Sequence, residues 1–444
     1  MPAPPSLSET AARLAARGKG ILASDESVPT IGKRLEKAGL ANDEPTRRAY
    51  RDIYYCPRLQ ASGGGGGEPS SPLLDLGAAG LSGAILFREA LGQSCCAAPQ
   101  LSFVEGLLAQ GVLVGVKVDS GLEPLRGGAA AGALAGETQT RGLDALPSLV
   151  REVAAQGASF AKFRCAQRMA PDGRSGPSEA AVDVNARQLA EYAAVCQAGG
   201  GDGGGDGDGG GGGGDGRASV LVPIVEPELL IDGKHDAAAF EAASARVISS
   251  AIAALWRQPG ASLEGLLLKP QMVVPGSEWR PSCAAGPGAA AAAAAGVGGG
   301  LPISPDEVAA RTLRVMRACV PPAVQGIMFL SGGQTEQQAT ENLDAINAGG
   351  APHHPWALSF SFGRGLQASV LRTWSEAGGG KPGATDEEAE AAARCARRVA
   401  VALVEANGLA ARGQWRASGR RHPSVMEDGG GGGGGLHETF RGHY

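Results

Sequence analysis

Eight short apolar segments recur along the chain, and helix-like segments separate them. Each segment is apolar at consecutive positions, which is typical of strands that are buried on both faces. They are GILAS from Gly20, GAILF from Gly83, VLVGVKVD from Val112, FAKFRC from Phe160, VLVPIVEPE from Val220, GLLLKP from Gly265, GIMFLSG from Gly326 and ALSFSFG from Ala357. Strands that alternate with helices favour parallel pairing through right-handed crossovers. Eight such units predict an α/β fold, a (β/α)8 TIM barrel.

Segments with helical periodicity lie between these runs. LPSLVREVAAQG from Leu146, AAAFEAASARVISSAIAALWRQ from Ala237 and GGQTEQQATENLDAINAGG from Gly332 each space apolar residues three or four positions apart, which predicts amphipathic helices. Near the N-terminus, ETAARLAARGK fits either a short basic targeting helix or the first helix of the domain. No apolar signal-peptide core precedes it.

Four tracts interrupt this pattern, and much of the glycine of the chain, 71 residues in all, is clustered in them. The tracts lie at 62–71, 199–216, 284–300 and 429–435. Glycine-rich stretches are typical of flexible coil, because they cannot bury enough apolar surface to offset the entropy lost on ordering. We therefore expect one barrel domain over 1–427 with low-complexity inserts at the first three tracts, followed by a flexible tail over 428–444.

Composition excludes several classes of protein. The net charge of −5 gives no general attraction to nucleic acid or to an anionic membrane. No uncharged apolar run approaches the roughly 20 residues that a membrane span needs. The eight cysteines include no CxxC pair and no zinc-finger spacing, which predicts reduced thiols in an intracellular compartment. Adjacent Cys95 and Cys96 are expected to be loop thiols without function.

Charged and small polar residues collect at the carboxyl ends of the predicted strands, where barrels place their active sites. Several pairs are spaced by two positions, so both members of a pair point to the same face of the strand. The residues are Asp25 and Ser27 on the first strand, Lys117 and Asp119 on the third, Lys162 and Arg164 on the fourth, Glu226 and Glu228 on the fifth, Lys269 on the sixth, Ser331, Gly332 and Gly333 on the seventh, and Ser361 and Arg364 on the eighth. Four such pairs at one end predict a catalytic constellation.

Lys269 is the residue from which the chemistry follows. A lone lysine at the end of an apolar strand most often reaches solvent, but the charged residues on neighbouring strand ends favour a catalytic role. A lysine beside other cations in a partly apolar pocket has a lowered pKa and can form a Schiff base with a carbonyl. The iminium accepts electrons, so an adjacent C–C bond can break. Glu226, Glu228 and Asp25 are the carboxylates that can carry protons.

The ends of the last two strands predict an anion site. Glycines in FLSGGQTE allow backbone N–H groups to approach an anion, and barrels commonly bind phosphate between the loops after strands seven and eight. Arg364 can add a bidentate contact to the same phosphate. Lys117, across the mouth, can hold a second anion.

At these residues the chain resembles the class I fructose-bisphosphate aldolases. The matching strings, in family order from Gly18 to Tyr444, are GKGILASDES, IGKRL, VGVKVD, GETQTRGLD, FAKFRC, VPIVEPE, LLLKPQMVVPG, VPPAVQGIMFLSGGQ, PWALSFSFGRGLQAS and a terminal HY. Each string is weak alone, and together they are specific. GAILFREA and GIMFLSGGQ are similar to the algal and plant plastid forms.

The resemblance implies a role for each matched residue. Lys269 corresponds to the Schiff-base lysine, and Glu226 corresponds to its acid/base partner, with Glu228 beside it. Asp25 corresponds to the acceptor of the C4 hydroxyl proton, and Lys162 to a lysine that supports charge and proton transfer. Tyr444 corresponds to a C-terminal tyrosine that returns a proton to the enamine. Arg34, Ser331, Gly332, Gly333, Ser361 and Arg364 correspond to the C1-phosphate site, and Ser27, Thr30, Lys117 and Arg164 to the C6-phosphate side. The family is metal-free, uses no cofactor and is usually homotetrameric.

The chain departs from the family at a few positions. Phe163 stands where tryptophan is usual, Phe362 where tyrosine is frequent, and Thr30 where serine is common. Alternation directs both phenylalanines away from the barrel interior, so the catalytic face is expected to be intact.

The resemblance predicts reversible cleavage of fructose 1,6-bisphosphate in the cytoplasm or the plastid stroma, without a clear targeting peptide. Two rivals stay open: an aldolase that prefers sedoheptulose 1,7-bisphosphate, and a scaffold that kept the fold and lost turnover. A metal-dependent aldolase is disfavoured, because the six histidines form no HxH or HExxH pattern.

Overall fold

A closed barrel of eight parallel strands forms the centre of the protein in a computed structural model, which describes residues 5–57, 74–200, 220–280, 303–348 and 354–425. The strands are β1 (Gly20–Ser24), β2 (Leu81–Leu86), β3 (Leu113–Lys117), β4 (Leu122–Pro124), β5 (Thr138–Thr140), β6 (Phe160–Arg168), β7 (Val222–Leu230), β8 (Leu267–Leu268), β9 (Gly326–Phe329) and β10 (Ala357–Phe362). Around the barrel the strand order is β1-β10-β9-β8-β7-β6-β3-β2, and β1 closes on β2. The predicted eight-stranded barrel is confirmed, and β4 and β5 form a separate antiparallel hairpin.

Helices surround the barrel. They are α1 (Leu7–Leu14), α2 (Val28–Lys37), α3 (Glu44–Tyr55), α4 (Leu76–Ala79), α5 (Phe103–Ala109), α6 (Leu146–Ala155), α7 (Glu179–Gln197), α8 (Ala237–Arg257), α9 (Pro305–Cys319), α10 (Glu336–Asn347), α11 (Ala368–Glu376) and α12 (Asp386–Ala410). Four of them begin with a reciprocal capping box, at Ser6, Ser102, Thr335 and Thr385. This box satisfies two backbone donors that a helix start otherwise leaves without partners.

Two hydrophobic cores account for the continuous apolar strands. The inner core fills the barrel with side chains such as Ile21, Phe160 and Met328, and α1 contributes Leu14 to it. Gly115 is required there, since an added Cβ would lie 2.1 Å from the ring of Phe160. The outer core lies between strands and helices and contains the alternate positions of the same strands.

The two predicted outward phenylalanines lie in the outer core. Phe163 on β6 stacks on Tyr192 of α7, with 5.1 Å between the ring centroids. Phe362 on β10 is also fully buried there. Both substitutions relative to the family therefore leave the inner face of the barrel free for the polar residues.

The cysteine prediction is wrong. Cys56 and Cys95 form a disulfide, and both residues are buried. They are 39 positions apart in the sequence, and the fold brings their Cα atoms to 5.7 Å. Because no short-range spacing marks such a pair, local patterns do not reveal it. Cys96, the neighbour of Cys95, is exposed.

Helix α8 is the most apolar long helix among the described residues. By length and composition alone it could cross a membrane, with a mean hydropathy of 1.3 over its most apolar window. Apolar residues along it, including Phe240, Ile248 and Ala251, are buried in the outer core. Burial against the barrel is a sufficient reason for its apolar composition.

The glycine tracts lie almost entirely outside the described residues. The predicted inserts at 62–71 and 284–300, all but the first two residues of 199–216, and the tail with Tyr444 belong to this group. The predictions made for them stay predictions.

Candidate active site

The carboxyl ends of the barrel strands bring the predicted polar residues together at one end of the barrel. Lys162 on β6, Glu226 on β7 and Lys269 just after β8 are 3%, 4% and 4% exposed. Parallel pairing places the three strands side by side, and alternation points their polar residues to the barrel interior. Charged side chains are rarely buried unless they are paired, so their partners decide what this site can do.

Lys162 is the centre of a buried ionic cluster. Its Nζ lies 2.6 Å from Oδ2 of Asp25 and 3.2 Å from Oε2 of Glu226. The other oxygen of Glu226, Oε1, lies 3.1 Å from Nζ of Lys269. Glu226 therefore bridges the two lysines, and a proton can pass between Lys269 and this carboxylate within ordinary hydrogen-bond distance.

The cluster holds its carboxylates ionised. Burial acts to raise the pKa of Asp25, but the ammonium groups of Lys162, Lys269 and Lys117 outweigh burial and lower that pKa to about 2. The pKa of Glu226 is likewise lowered, because Lys162, Lys269 and Arg164 together outweigh burial. For Lys162, burial acts to lower the pKa, but Asp25, Glu226 and Asp119 raise it above its usual value. Lys162 is therefore a lasting cation between two anionic carboxylates.

Asp119 is part of the site, although the sequence assigned it no role beyond its place at a strand end. Its Oδ1 lies 2.5 Å from Nζ of Lys117, and its Oδ2 lies 3.9 Å from Nζ of Lys162. The Lys117 ammonium also donates to the Asp119 backbone carbonyl at 2.9 Å. Asp119 thus fixes Lys117 at the mouth and joins it electrostatically to the central cluster.

Glu228 and Arg164 form a pair of their own. The predicted alternation is correct, since both lie at the same barrel end, and their side chains form a short salt bridge. Glu228 is therefore paired with Arg164, whereas Glu226 is paired with the lysines. In the β6–β7 ladder, Arg164 lies directly beside Glu226. Its side chain extends diagonally toward the carboxyl end of β7 and contacts Glu228, two positions further along.

The loops after β9 and β10 meet at the predicted C1-phosphate side. The Gly365 N–H donates to Oγ of Ser331 at 3.3 Å, which joins the two loops. Gly333 has a φ of +72°, a value that favours glycine. The Ser361 hydroxyl is buried and has no hydrogen-bond partner among the described residues, so it can donate to a bound ligand. Gly332 and Arg364 lie in the same two loops.

Helix α2 begins shortly after β1 and, together with its N-cap, carries three of the residues predicted to bind phosphate. Oγ of Ser27 and Oγ1 of Thr30 lie 3.0 Å apart. Ser27 is the N-cap of α2, but its side chain makes no capping bond, so the hydroxyl is directed elsewhere. Arg34, further along α2, donates to Oε1 of Glu26 at 2.5 Å.

Two supporting side chains were not found from the sequence. Gln367 donates to Oε1 of Glu26 at 2.9 Å and to the carbonyl of Ala23 at 2.8 Å, which joins the segment after β10 to the end of β1. The Tyr55 hydroxyl donates to Oγ of Ser24 at 2.6 Å, one residue before Asp25. Their partners are distant in sequence, so local patterns do not reveal these roles.

The comparisons with known proteins agree with this geometry. A family model described as "Fructose-bisphosphate aldolase class-I" matches residues 6–200 and 216–427. Fructose-bisphosphate aldolase 6, cytosolic, of Arabidopsis thaliana is 39% identical over 364 residues, which are 82% of this chain and 82% of that protein. Fructose-bisphosphate aldolase C of Homo sapiens is 36% identical over 415 residues, which are 93% and 91% of the two chains.

A solved structure supports the same assignment. It is the fructose-bisphosphate aldolase of Plasmodium falciparum in a ternary complex with TRAP and a small-molecule inhibitor, and it is 35% identical to this chain with a TM-score of 0.72. The match covers 92% of this chain and 94% of that one. Together with the family model, which spans nearly all of the chain, this likeness makes the protein a member of the class I fructose-bisphosphate aldolase family.

Proposed function

We propose that the protein catalyses the reversible cleavage of fructose 1,6-bisphosphate to dihydroxyacetone phosphate and glyceraldehyde 3-phosphate through a Schiff base on Lys269. The observation that carries this proposal is the buried bridge in which Glu226 contacts both Lys269 and Lys162. An amine nucleophile beside a carboxylate that can exchange its proton is what Schiff-base formation needs.

In the first half of the reaction, the amine of Lys269 attacks the C2 carbonyl of the open-chain sugar. Glu226 takes a proton from the amine and delivers one to the oxygen, which leaves as water and gives the iminium. Glu226 can serve both transfers, because its Oε1 lies 3.1 Å from the lysine nitrogen and its carboxylate stays ionised before reaction.

In the second half, Asp25 accepts the proton of the C4 hydroxyl. The C3–C4 bond breaks, its electrons enter the iminium, and glyceraldehyde 3-phosphate leaves. The enamine then takes up a proton, and hydrolysis releases dihydroxyacetone phosphate. Lys162 keeps Asp25 anionic at 2.6 Å and so preserves an acceptor at this position.

The two ends of the substrate are proposed to bind at opposite sides of the mouth. Ser331, Gly332, Gly333, Ser361, Arg364 and Arg34 are proposed to hold the C1 phosphate, and Ser27, Thr30, Lys117 and Arg164 the C6 phosphate. The free Ser361 donor and the Lys117 ammonium held by Asp119 support this division.

Borohydride trapping tests the nucleophile. Reduction in the presence of dihydroxyacetone phosphate, followed by peptide mapping, should place the adduct on Lys269, and EDTA should leave activity unchanged. Lys162 is the internal comparison, because it is equally buried and shares Glu226. An adduct on Lys162 or Lys117, or loss of activity in EDTA, would contradict the mechanism.

Substrate preference needs a separate assay. Turnover of fructose 1,6-bisphosphate and sedoheptulose 1,7-bisphosphate should be compared side by side at equal concentrations, and we expect the fructose ester to give the higher kcat/KM. A scaffold without activity would turn over neither sugar. The filled catalytic cluster, with each cation paired to a carboxylate, argues against that alternative.

We also propose that the protein is a homotetramer that acts in the cytoplasm or the plastid stroma and binds neither nucleic acid nor membrane. The tetramer is expected from the family resemblance. Light scattering should give about four times the chain mass of 44.5 kDa. Imaging of a full-length fluorescent fusion addresses the compartment.

A further inference from the structure

A buried disulfide and a buried carboxylate lie close together and take no part in the proposed reaction. Cys56, at the C-terminal end of α3, is bonded to Cys95 in the loop that precedes α5. Asp52 lies one helical turn before Cys56 and is only 3% exposed. A carboxylate oxygen of Asp52 and the two sulfur atoms lie within 4.8 Å of one another.

Asp52 is held against this disulfide by the backbone. Its Oδ1 accepts the N–H of Cys96 at 2.7 Å, so the residue after Cys95 orients the carboxylate toward the sulfur atoms. A carboxylate in this position is within reach of the chemistry of the disulfide. In thiol–disulfide exchange each sulfur that leaves a disulfide in a buried site needs a proton, and a carboxylate beside the sulfur atoms can carry it.

We propose that Cys56–Cys95 is a redox-active disulfide that a dithiol reductant opens, with Asp52 as the proton carrier. The Asp52 carboxylate takes the proton of one reductant thiol, the resulting thiolate attacks a sulfur of the disulfide and forms a mixed disulfide, and the other protein sulfur leaves and takes that proton from Asp52. The second reductant thiol passes its proton to Asp52 in the same way and displaces the remaining protein sulfur, which takes up this proton. Two electrons and two protons pass to the protein, and the reductant becomes a cyclic disulfide.

The exposed position of Cys96 provides the route of entry. Both bonded sulfurs belong to buried residues, at 4% and 2% exposure, and in this proposal the reductant approaches through the loop that carries Cys95. Cys96 is the next residue in that loop and is exposed. A local opening of this loop would expose the disulfide while the barrel stays folded.

The disulfide is connected to the catalytic end of β1. Tyr55, the residue before Cys56, donates to Oγ of Ser24 at 2.6 Å, and Ser24 donates to the carbonyl of Ile85 at 3.1 Å. Ser24 directly precedes Asp25. The oxidised form thus anchors the end of α3 that supports Asp25, and opening the bond loosens this support. This consequence rests on the proposed role of Asp25, whereas the redox site itself does not.

The test uses the full-length oxidised protein and dithiothreitol as the reductant. Cysteines are alkylated at timed intervals under native conditions, and mass spectrometry reads Cys56 and Cys95 separately from the buried Cys165 and Cys196. We expect Cys56 and Cys95 to become labelled together while Cys165 and Cys196 stay protected. Labelling of all four at one rate would mean that only global unfolding exposes the bond, and it would overturn the proposal.

The proton carrier is tested with Asp52→Asn against Asp43→Asn. Asparagine at 52 can still accept the Cys96 N–H but cannot donate a carboxyl proton, so reduction should slow by roughly 10- to 100-fold. Asp43 is the exposed N-cap of the same helix, and asparagine is an equally good cap, so its variant should react like the unchanged protein. Equal rates in both variants would exclude Asp52 as the carrier.

A second measurement holds even if Asp52→Asn fails to fold. In the unchanged protein, the reduction rate per dithiothreitol thiolate should be lower in deuterium oxide than in water by about two-fold or more, because a carboxyl proton moves in the rate-limiting step. Equal rates in the two solvents would contradict the role of Asp52.

Sugar cleavage by the reduced protein should be slower than cleavage by the oxidised protein by roughly two- to ten-fold. Equal activity in the two redox states would remove the link to Asp25, and the labelling pattern would still decide the redox site.

Discussion

At the scale of single residues, Lys162 controls the charge state of the site. It is the strongest of the charges that lower the pKa of Asp25 and of Glu226, and it is paired with both. Lys269 contacts Glu226 alone among the carboxylates of the cluster. The two lysines therefore divide their tasks: one holds charge, and the other has a partner that can take its proton.

Glu226→Gln should lower kcat by roughly 10² to 10⁴ and leave KM close to its original value, because a proton carrier is lost and the phosphate contacts remain. Steady-state cleavage assays measure both constants. Glu241→Gln is the control, since Glu241 pairs with Arg311 on the outer helices and has no contact with the cluster. A large rise in KM at an unchanged kcat would mean that Glu226 binds substrate without catalysing the reaction.

His235 gives a prediction about acid stability. The residue is fully buried, stacks on Phe240 at 4.8 Å, and neither ring nitrogen has a hydrogen-bond partner among the described residues. Burial lowers the pKa of its imidazole to about 4. Between pH 6.5 and pH 4 the unfolded chain therefore binds more protons than the folded one, so this residue makes stability fall as the pH is lowered through that window.

His235→Phe should keep the stack on Phe240 and remove this proton linkage. From pH 7 to pH 4.5, the free energy of unfolding should fall by about 2 kcal/mol less in the variant than in the unchanged protein. Denaturant unfolding at the two pH values measures the difference. His422, whose pKa burial also lowers to about 4, remains in both proteins and cancels. Parallel stability curves would show that His235 is not the source of acid sensitivity.

At the scale of elements, the loop between β9 and α10 is the most constrained part of the phosphate side. Gly333 combines a φ of +72° with a close neighbour, since an added Cβ would lie 1.8 Å from Cδ1 of Ile231. Ile231 follows β7, the strand that carries Glu226 and Glu228. The loop geometry and the catalytic strand are therefore packed against each other, and neither can shift alone.

Gly333→Ala should raise KM for fructose 1,6-bisphosphate about ten-fold, because the strained loop withdraws backbone donors from the phosphate. Gly39→Ala is a matched control: its φ is +73°, and an added Cβ meets nothing within 4 Å. The control should lose some stability and keep its KM. If both variants raise KM equally, backbone strain in general is the cause, and the phosphate loop has no special part in it.

At the scale of the whole molecule, the barrel gathers residues from all parts of the chain at one end. Its interior is filled by a core that α1 extends, and the catalytic cluster lies at the opposite, carboxyl ends of the strands. The predicted role of Tyr444 also depends on the whole molecule, because it requires the C-terminal tail to reach the mouth of the barrel. It lies outside the described residues, so that role stays a prediction.

Removing Tyr444 should slow proton exchange at the carbon of dihydroxyacetone phosphate more than it slows C–C cleavage, because only enamine protonation needs the tyrosine. Tritium exchange and steady-state cleavage are compared in the full chain and in a chain that ends at His443. The seven glycines at 429–435 predict a soft tether and hence a low effective concentration of the tail at the site. Equal losses in both assays, or none, would mean that the tail has no such role.

The sequence alone determined the eight strands and the face on which each polar residue lies. Both are local properties: continuous apolar runs follow from burial on two faces, and residues two positions apart share a face. For this reason the spacing of Lys162 and Arg164, and likewise of Glu226 and Glu228, is enough to place these residues at the mouth. The motif strings then identified the family, and with it the expected nucleophile, Lys269.

The tertiary structure alone decided which charges meet. Glu226 pairs with the two lysines and Glu228 with Arg164, although the two glutamates are equivalent in local pattern. Barrel closure and the register between strands fix such distances, and neither is encoded in a short segment. The same holds for Asp119 near Lys162, for Tyr55 on Ser24 and for the Cys56–Cys95 bond, since each joins residues that the fold, and not the spacing in the sequence, brings into contact.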